Sequence, residues 1–248
     1  GYLLDFASRH KDEPFFVYYP MALTHGPFTP TPDSEGWNDD RHKSDPKNFG
    51  DMVEHADKLV GYILDGLDEL GLRDNTLVMF VGDNGSPREV TSMLGDRAFR
   101  GGKGYSTDAG TRVPFIAAWG DRSAGSVCDD LVDCTDFLPT MMQVARTALP
   151  EDAVCDGRSF LPQLVGDDGD PRDYIYQWHN PLPGWGKVGY KLEEWAQDKQ
   201  YKLYSDGRFY DVEADDLETA VLEPDSDEAD EAFRTLRSVL SHYQEQQG

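Results

Sequence analysis

Residues 52–86, MVEHADKLVGYILDGLDELGLRDNTLVMFVGDNGS, predict a long helix followed directly by a buried strand. From Met52 to Leu70 the apolar residues recur at intervals of three and four, which is typical of a helix packed on a sheet. Gly71 stands where a helix commonly ends in the left-handed conformation. Residues 76–81, TLVMFV, then have the continuous apolar character of a strand that is buried on both faces.

Two further apolar runs indicate neighbouring strands of the same sheet. Residues 14–19 are PFFVYY, and residues 113–119 are VPFIAAW. Strand, long helix and strand in succession form a right-handed crossover, which joins parallel strands. We therefore predict an α/β fold with a largely parallel sheet flanked by helices.

The chain changes character near residue 150, which divides it into regions 1–150 and 151–248. The second region has short strands and turns, and residues 202–211, KLYSDGRFYD, predict a hairpin with Asp206 and Gly207 in its turn. A terminal helix is expected from Asp225, with Glu228 as the reciprocal partner of a capping box. This region is therefore predicted to be a smaller α+β subdomain with antiparallel strands.

The composition excludes several classes of protein. The 248 residues carry 23 Lys and Arg against 47 Asp and Glu, a net charge of −24. Such a chain is a poor partner for nucleic acid, and it binds an anionic substrate only where cations reverse the sign locally. The sequence contains no apolar run long enough to span a membrane. Its three cysteines leave the redox compartment open.

Chemically suggestive residues lie next to each predicted strand of the sheet. Thr24 to Pro27 follow the first strand, Asp83 to Gly85 follow the second, and Arg100 to Gly104 precede the third. In open parallel sheets, ligands bind outside the carboxyl ends of the strands. The three segments are therefore expected to converge on one site.

Asp83 and Asn84 are candidate metal ligands. A carboxylate and an amide carbonyl are the hard oxygen donors that Ca²⁺ and Mg²⁺ prefer, and Gly82 and Gly85 would let the backbone bend around an ion. The alternative is a plain turn, because Asn-Gly is a strong hairpin signal. No partner strand for residues 76–81 is evident directly after Gly85, which weighs against the hairpin.

Lys103 and His25 are candidate catalytic and substrate-binding residues. Lys103 lies among glycines whose N–H groups could approach an oxyanion, and its ammonium supplies positive charge. His25 has the pKa range suited to proton transfer to a leaving group. The ordinary alternatives are a solvated surface lysine and a histidine that hydrogen-bonds within a turn. The pattern around Lys103 does not fit a P-loop, because Arg97 and Gly104 occupy positions that the motif reserves for other residues.

The ordered segments resemble the sulfatases of the alkaline-phosphatase-like superfamily. The segments that carry the resemblance are residues 14–33, residues 52–86 and RGGKGYSTDAGTRVPFIAAW at 100–119, followed by DFLPT, DGRSFLPQL and YKLYSDGRFYD. The resemblance implies that regions 1–150 and 151–248 are the C-terminal part of the catalytic domain and a small subdomain. It also implies that Asp83 and Asn84 bind calcium, and that Lys103 and His25 contact the sulfate group and assist the leaving oxygen. Arg112 is expected to anchor structure.

The sequence departs from the family at the nucleophile. Sulfatases make a formylglycine from the Cys or Ser of a C/S-x-P-x-R motif, and no such motif occurs in this sequence. The chain therefore looks like the C-terminal portion of a sulfatase, with the N-terminal remainder as its partner, and alone it is expected to be inactive. The resemblance further implies a periplasmic or extracellular location. Two alternatives stay open: a phosphodiesterase or phosphonate monoester hydrolase, and a non-catalytic binder of sulfated glycans.

Overall fold

The computed structural model describes residues 1–182 and 191–246. These residues form two compact units. The first unit comprises Gly1–Phe80, Pro87–Arg100 and Ile116–Arg122, and the second comprises Val81–Ser86, Gly101–Phe115 and Ser123 onward. The division into regions 1–150 and 151–248 stays a prediction.

The helices and strands are numbered in chain order. The helices are α1 Tyr2–Arg9, α2 Trp37–Asp40, α3 Phe49–Glu69, α4 Asp108–Thr111, α5 Phe137–Val144, α6 Leu161–Val165 and α7 Asp227–Gln246. The strands are β1 Val78–Val81, β2 Thr91–Leu94, β3 Arg97–Arg100, β4 Phe115–Ala118, β5 Ile175–His179, β6 Glu193–Gln197, β7 Tyr201–Tyr204 and β8 Phe209–Asp211. Within the described residues, no helix has both the length and the apolar character needed to cross a membrane.

The long helix predicted from the apolar pattern is confirmed as α3. It ends as expected, with Gly71 at φ +68° and the Leu72 N–H donating to the carbonyl oxygen of Leu67 at 2.9 Å. Its Gly66 lies against α1, because a Cβ at that position would come within 2.3 Å of the Leu4 side chain. The two helices thus pack closely in the first unit.

The described residues form small sheets, and a large parallel sheet is not among them. Strand β1 is hydrogen-bonded to β4, and β2 pairs with β3 as an antiparallel hairpin that the sequence analysis did not predict. The strand predicted at residues 14–19 is wrong for the structure as described, since the segment has no ladder and Phe16 and Tyr18 are 68% and 78% exposed. A strand buried on both faces needs neighbouring strands and covering layers, and the described residues supply neither to this segment.

The predicted hairpin at residues 202–211 is confirmed within a four-stranded antiparallel sheet of order β5-β6-β7-β8. Gly207 takes φ +96° in the turn between β7 and β8. The terminal helix α7 begins at Asp227 rather than Asp225, and its cap is the hydroxyl of Ser226, which accepts the N–H of Ala229 at 3.2 Å. Ser226 directly precedes the first turn, so its side chain reaches the unpaired N–H groups there.

The four-stranded sheet has two differently covered faces. On the face that we call the helix face, Ala196, Leu203 and Phe209 pack with Leu236 and Leu240 of α7. On the opposite face, which we call the loop face, the buried side chains are Trp195, Tyr204, Tyr210 and Val212. Because side chains alternate along a strand, each strand contributes to both faces.

Candidate active site

Two loops that carry candidate residues are joined by a hydrogen bond in the second unit. The Asp83 loop, residues 82–86, follows β1, and the Lys103 loop, residues 101–106, follows β3. The N–H of Lys103 donates to the carbonyl oxygen of Ser86 at 3.0 Å. The structure therefore brings Lys103 beside the segment that holds Asp83 and Asn84.

Glycines hold both loops against the short helix α4. The Gly85 N–H donates to the Gly110 carbonyl at 2.9 Å, and a Cβ at Gly85 would lie 1.9 Å from the carbonyl oxygen of Ala109. A Cβ at Gly102 would lie 2.7 Å from the Cβ of Ala109. No larger residue fits at either position without a shift of the backbone. Close backbone approach, rather than a left-handed turn, accounts for these glycines.

The side chains of Asp83 and Asn84 are available for binding. Asp83 is exposed and Asn84 is half-buried, and within the described residues neither side chain forms a hydrogen bond or an ion pair. Strand β1 pairs with β4 and not with the chain that directly follows the loop, so this Asn-Gly does not close a hairpin.

Calcium fits the chemistry of these two side chains. They present adjacent hard oxygen donors on a loop that the glycine contacts fix in place. The described part of the chain holds no group of three or more His, Cys, Asp or Glu that could bind a metal. Ca²⁺ takes roughly six to eight oxygens, so Asp83 and Asn84 could supply only part of such a ligand set.

Lys103 differs from the ordinary surface lysine. Its side chain is half-buried, and in the described portion of the chain its ammonium forms no ion pair, although acidic residues outnumber basic ones twofold. The N–H groups of Gly102, Lys103 and Tyr105 donate to backbone carbonyls. The approach of other glycine N–H groups of this loop to an oxyanion stays a prediction. An anion would therefore be met by the ammonium and not by those three amides.

His25 lies in the first unit, where its side chain is exposed. Its Nδ1 lies 2.7 Å from the carbonyl oxygen of Gly26. A carbonyl only accepts, so Nδ1 carries the proton and Nε2 remains for exchange with a ligand. Lys103 belongs to the second unit, and the convergence of His25 with Lys103 stays a prediction.

The two arginines that flank the Lys103 loop are bound within the protein. Arg112 Nε lies 2.9 Å from Oδ2 of Asp108, which is 4% exposed, in agreement with the structural role expected for Arg112. Burial raises the pKa of Asp108, although the Arg112 charge opposes the shift. Arg100 Nε donates to the carbonyl oxygen of Arg88 at 2.8 Å.

A buried polar network on the loop face was not predicted from the sequence. The Lys202 ammonium donates to the carbonyl oxygen of Ser106 and, at 2.7 Å, to Oε1 of Glu218. The Tyr204 hydroxyl donates to Oε2 of Glu218 at 2.6 Å, and the Ser106 hydroxyl donates to Oε2 of Glu193 at 2.6 Å. The available sequence signal was the lysine in the otherwise apolar YKLY of β7.

The electrostatics of this network follow from its burial. Burial lowers the pKa of Lys202, although the Glu218 carboxylate opposes the shift. Burial acts to raise the pKa of Glu193, but hydrogen bonds from Ser106 and Arg208 outweigh it and lower that pKa. The ammonium of Lys202 also lies 4.6 Å from the centroid of the Trp195 ring, a cation–π distance. The Lys202 ammonium and the carboxylates of Glu193 and Glu218 thus each have hydrogen-bond partners within the protein.

Comparison with known proteins identifies the family of this chain and its fold. The family model "Sulfatase" matches residues 2–147, more than half of the chain. A Bacteroides thetaiotaomicron structure from work on the metabolism of multiple glycosaminoglycans shares 26% identity and a TM-score of 0.74, and the match covers 98% of this chain and 52% of that one. A Pseudoalteromonas sulfatase, at 23% identity and a TM-score of 0.71, has the same fold over 97% of this chain and 51% of its own.

Curated relatives agree with that class. The N-acetylgalactosamine-6-O-sulfatase of Bacteroides thetaiotaomicron is 34% identical over 69% of this chain and 34% of its own length. The human steryl-sulfatase is 34% identical over 71% of this chain and 30% of its own. The chain belongs to the sulfatase family, whose fold is alkaline-phosphatase-like. It spans about a third of the length of the curated relatives it matches.

Proposed function

We propose that the protein of which this chain is part hydrolyses sulfate esters, with Lys103 binding the sulfuryl group. One observation carries the proposal: the half-buried Lys103 has no acidic partner within the described residues and is hydrogen-bonded to the Asp83 loop. A partly desolvated ammonium without a carboxylate partner is less stable than a paired one, and an anionic ligand would supply the missing partner. The names of the relatives, all sulfatases or arylsulfatases, supply the class of anion.

Asp83 and Asn84 would hold calcium as part of a larger ligand set. When bound, the ion supplies positive charge that stabilises the oxygens of the sulfuryl group. The remaining ligands, and the formylglycine nucleophile, would come from outside this sequence, because it lacks the C/S-x-P-x-R motif. Lys103 would act on the same oxygens, where preorganised charge lowers the barrier without reorganisation.

His25 would protonate the departing oxygen. Since Nδ1 is committed to the Gly26 carbonyl, the proton to be donated is carried on Nε2 of the imidazolium. The Gly26 carbonyl then fixes the ring orientation throughout the reaction. His25 and Lys103 together would complete substrate binding, one at the leaving oxygen and one at the sulfuryl group.

The proposal also covers a larger parallel sheet in the whole protein and the location of that protein in or outside the cell. Exposed apolar side chains at Phe16, Tyr18 and Ile116 support a larger, mostly parallel sheet in the whole protein, in which they are covered. The chain aligns with about half the length of each of two solved structures that share its fold. A periplasmic or extracellular site of action follows from resemblance alone, and cell fractionation with an antibody to this chain tests it.

A hydrolysis assay with the full-length protein tests the proposal. We expect turnover of an aryl sulfate, little turnover of the matching aryl phosphate diester, and loss of at least about 100-fold in kcat/KM for Lys103→Ala. Lys199→Ala is the matched control, because Lys199 pairs with Asp130 on the surface. Preferred hydrolysis of the diester would replace the proposal with a phosphodiesterase. Binding of a sulfated glycan without turnover would replace it with a binding protein.

A further inference from the structure

Ser106, three residues after Lys103, is gripped from the loop face of the sheet. It is 5% exposed, although it lies in a loop. Its carbonyl oxygen accepts the Lys202 ammonium, and its hydroxyl donates to Glu193. Both the backbone and the side chain of one loop residue are thus held by strands β6 and β7.

The two carboxylates of the network determine which hydroxyl groups donate hydrogen bonds. The two carboxylates, Glu193 and Glu218, only accept, so they take the protons of Ser106 and Tyr204. The oxygens of these two hydroxyls lie 3.0 Å apart. The Ser106 proton therefore goes to Glu193, while the Tyr204 hydroxyl contacts both Glu218 and the Ser106 hydroxyl oxygen.

The cost of the network argues that it does more than stabilise the fold. Lys202 and Glu218 have side chains that are 0% and 3% exposed. Desolvating such a pair costs several kcal/mol per ion, and apolar replacements of similar volume are often as stable. The same strands bury apolar residues on the helix face at no such cost. What the polar network adds is directional contact with Ser106.

We infer that Ser106, Tyr204 and Lys202 are positioning residues that fix the Lys103 ammonium where it meets the sulfuryl group, an inference that rests on the function proposed for Lys103. The Lys103 loop is pinned at one end by the Lys103 N–H on Ser86 and at the other by Ser106. Misplacing a binding group by about 1 Å can lower the rate about 100-fold.

The kinetic test uses changes that remove single hydroxyl groups in the full-length protein. Tyr204→Phe and Ser106→Ala are expected to lower kcat for an aryl sulfate about 10- to 100-fold. The matched control is Tyr201→Phe, which removes a hydroxyl from the same strand on the helix face, where the ring stacks on Phe209 at 5.2 Å. This control is expected to retain wild-type kcat. Equal losses in Tyr204→Phe and Tyr201→Phe would overturn the inference.

A double-mutant cycle separates positioning from general structural damage. If Tyr204 acts through Lys103, Tyr204→Phe has little further effect on kcat once Lys103 is alanine. A merely structural role predicts the same fold loss in both backgrounds. Additive losses would therefore contradict positioning, even when each variant is stably folded.

Amide hydrogen exchange tests the positioning without activity. Tyr204→Phe is expected to accelerate exchange at the Lys103 and Tyr105 amides more than at Leu203, whereas Tyr201→Phe leaves the loop amides unchanged. If the wild-type protein fails to hydrolyse sulfates, the proposed function falls, and exchange still shows how the loop is held. If the wild type is active but loop exchange is unaltered in Tyr204→Phe, the positioning inference falls alone.

Discussion

Lys202 Nζ lies 2.7 Å from Oε1 of Glu218 in an ion pair that is closed to solvent from both sides. Removing one partner leaves the other buried and uncompensated, which typically costs 3–5 kcal/mol. Lys202→Met is therefore expected to lower the free energy of unfolding by about that amount. Urea denaturation of the purified protein measures the change.

Two companion variants make this stability prediction specific. Lys202→Met combined with Glu218→Gln is expected to be more stable than Lys202→Met alone, because no unpaired charge remains. Lys199→Met removes the exposed pair with Asp130 and is expected to change stability by less than about 1 kcal/mol. A Lys202→Met effect as small as that of Lys199→Met would contradict the burial of the pair.

We expect the buried Tyr204 to lower the free energy of unfolding at alkaline pH. Burial, followed by the Glu218 charge, raises the pKa of Tyr204 above the usual value of 10.0. Above that value the unfolded chain loses this proton and the folded chain keeps it, so stability falls as the pH rises. One such proton contributes up to about 1.4 kcal/mol per pH unit.

The alkaline effect is read as a difference between variants. Lys202, with its lowered pKa, acts in the opposite direction below its ordinary value of 10.5, and its contribution largely cancels when Tyr204→Phe is compared with wild type. Tyr204→Phe is expected to reduce the slope of stability against pH above 10. Tyr18→Phe changes a tyrosine that is 78% exposed and should leave the slope intact. Identical slopes in all three proteins would refute the assignment.

Gly85→Ala is expected to disrupt the Asp83 loop. The new Cβ would lie 1.9 Å from the Ala109 carbonyl oxygen, so the backbone must move, and we expect a loss of about 2 kcal/mol or more. Gly61→Ala in α3 is the matched control, since no atom lies within 4 Å of its added Cβ. That change is expected to stabilise the helix by about 1 kcal/mol. Thermal unfolding of both variants measures the contrast, and a neutral Gly85→Ala would sink the prediction.

Calcium is expected to stabilise the full-length protein through Asp83. A ligand at 100 times its Kd adds about 2.7 kcal/mol to the free energy of unfolding. Asp83→Asn should abolish most of the calcium-dependent rise in Tm, whereas Asp121→Asn, at an exposed residue of the first unit, should leave it unchanged. A calcium response that survives Asp83→Asn would remove this residue from the ligand set.

The 248-residue chain on its own is expected to be inactive on aryl sulfates. It contains no C/S-x-P-x-R motif from which the aldehyde nucleophile could be made. The measurement compares the purified chain with the full-length protein under the same assay conditions. Hydrolysis by the chain alone, above the uncatalysed rate, would show that another group acts as the nucleophile.

Local patterns predicted the elements whose stabilising contacts lie close in sequence. The end of α3 follows from Gly71 and Leu72, and the β7–β8 hairpin follows from Asp206-Gly207, because both features depend on backbone geometry within a few residues. The strand predicted at residues 14–19 was wrong because the contacts that stabilise a strand are distant in sequence. A strand forms only when a neighbouring strand supplies its hydrogen bonds. The amino-acid sequence of one segment does not identify that neighbour.

The candidate binding residues could be predicted from the sequence, but the residues that hold their loops in place could not. Asp83 and Asn84 follow an apolar run and Lys103 precedes one, all three among glycines, and the structure brings their two loops together. Ser106 and Lys202 are 96 residues apart, so the lysine in the apolar YKLY marks an unusual position without indicating which residue it contacts. The acceptors of the Gly102 and Lys103 N–H groups belong to Ala109 and Ser86, which lie outside the loop, so the residues around Lys103 do not indicate that these two N–H groups are occupied.

Because side chains alternate along β7, this one strand determines both the apolar packing against α7 and the contacts that hold the Lys103 loop. Tyr201 and Leu203 face α7, while Lys202 and Tyr204 face the Lys103 loop. A slip of one residue would place the ammonium against Leu236 and deprive Ser106 of its donor. An insertion or deletion in β7 would therefore damage the apolar packing and the loop in a single event, so length variation during evolution should be confined to the turns outside this strand.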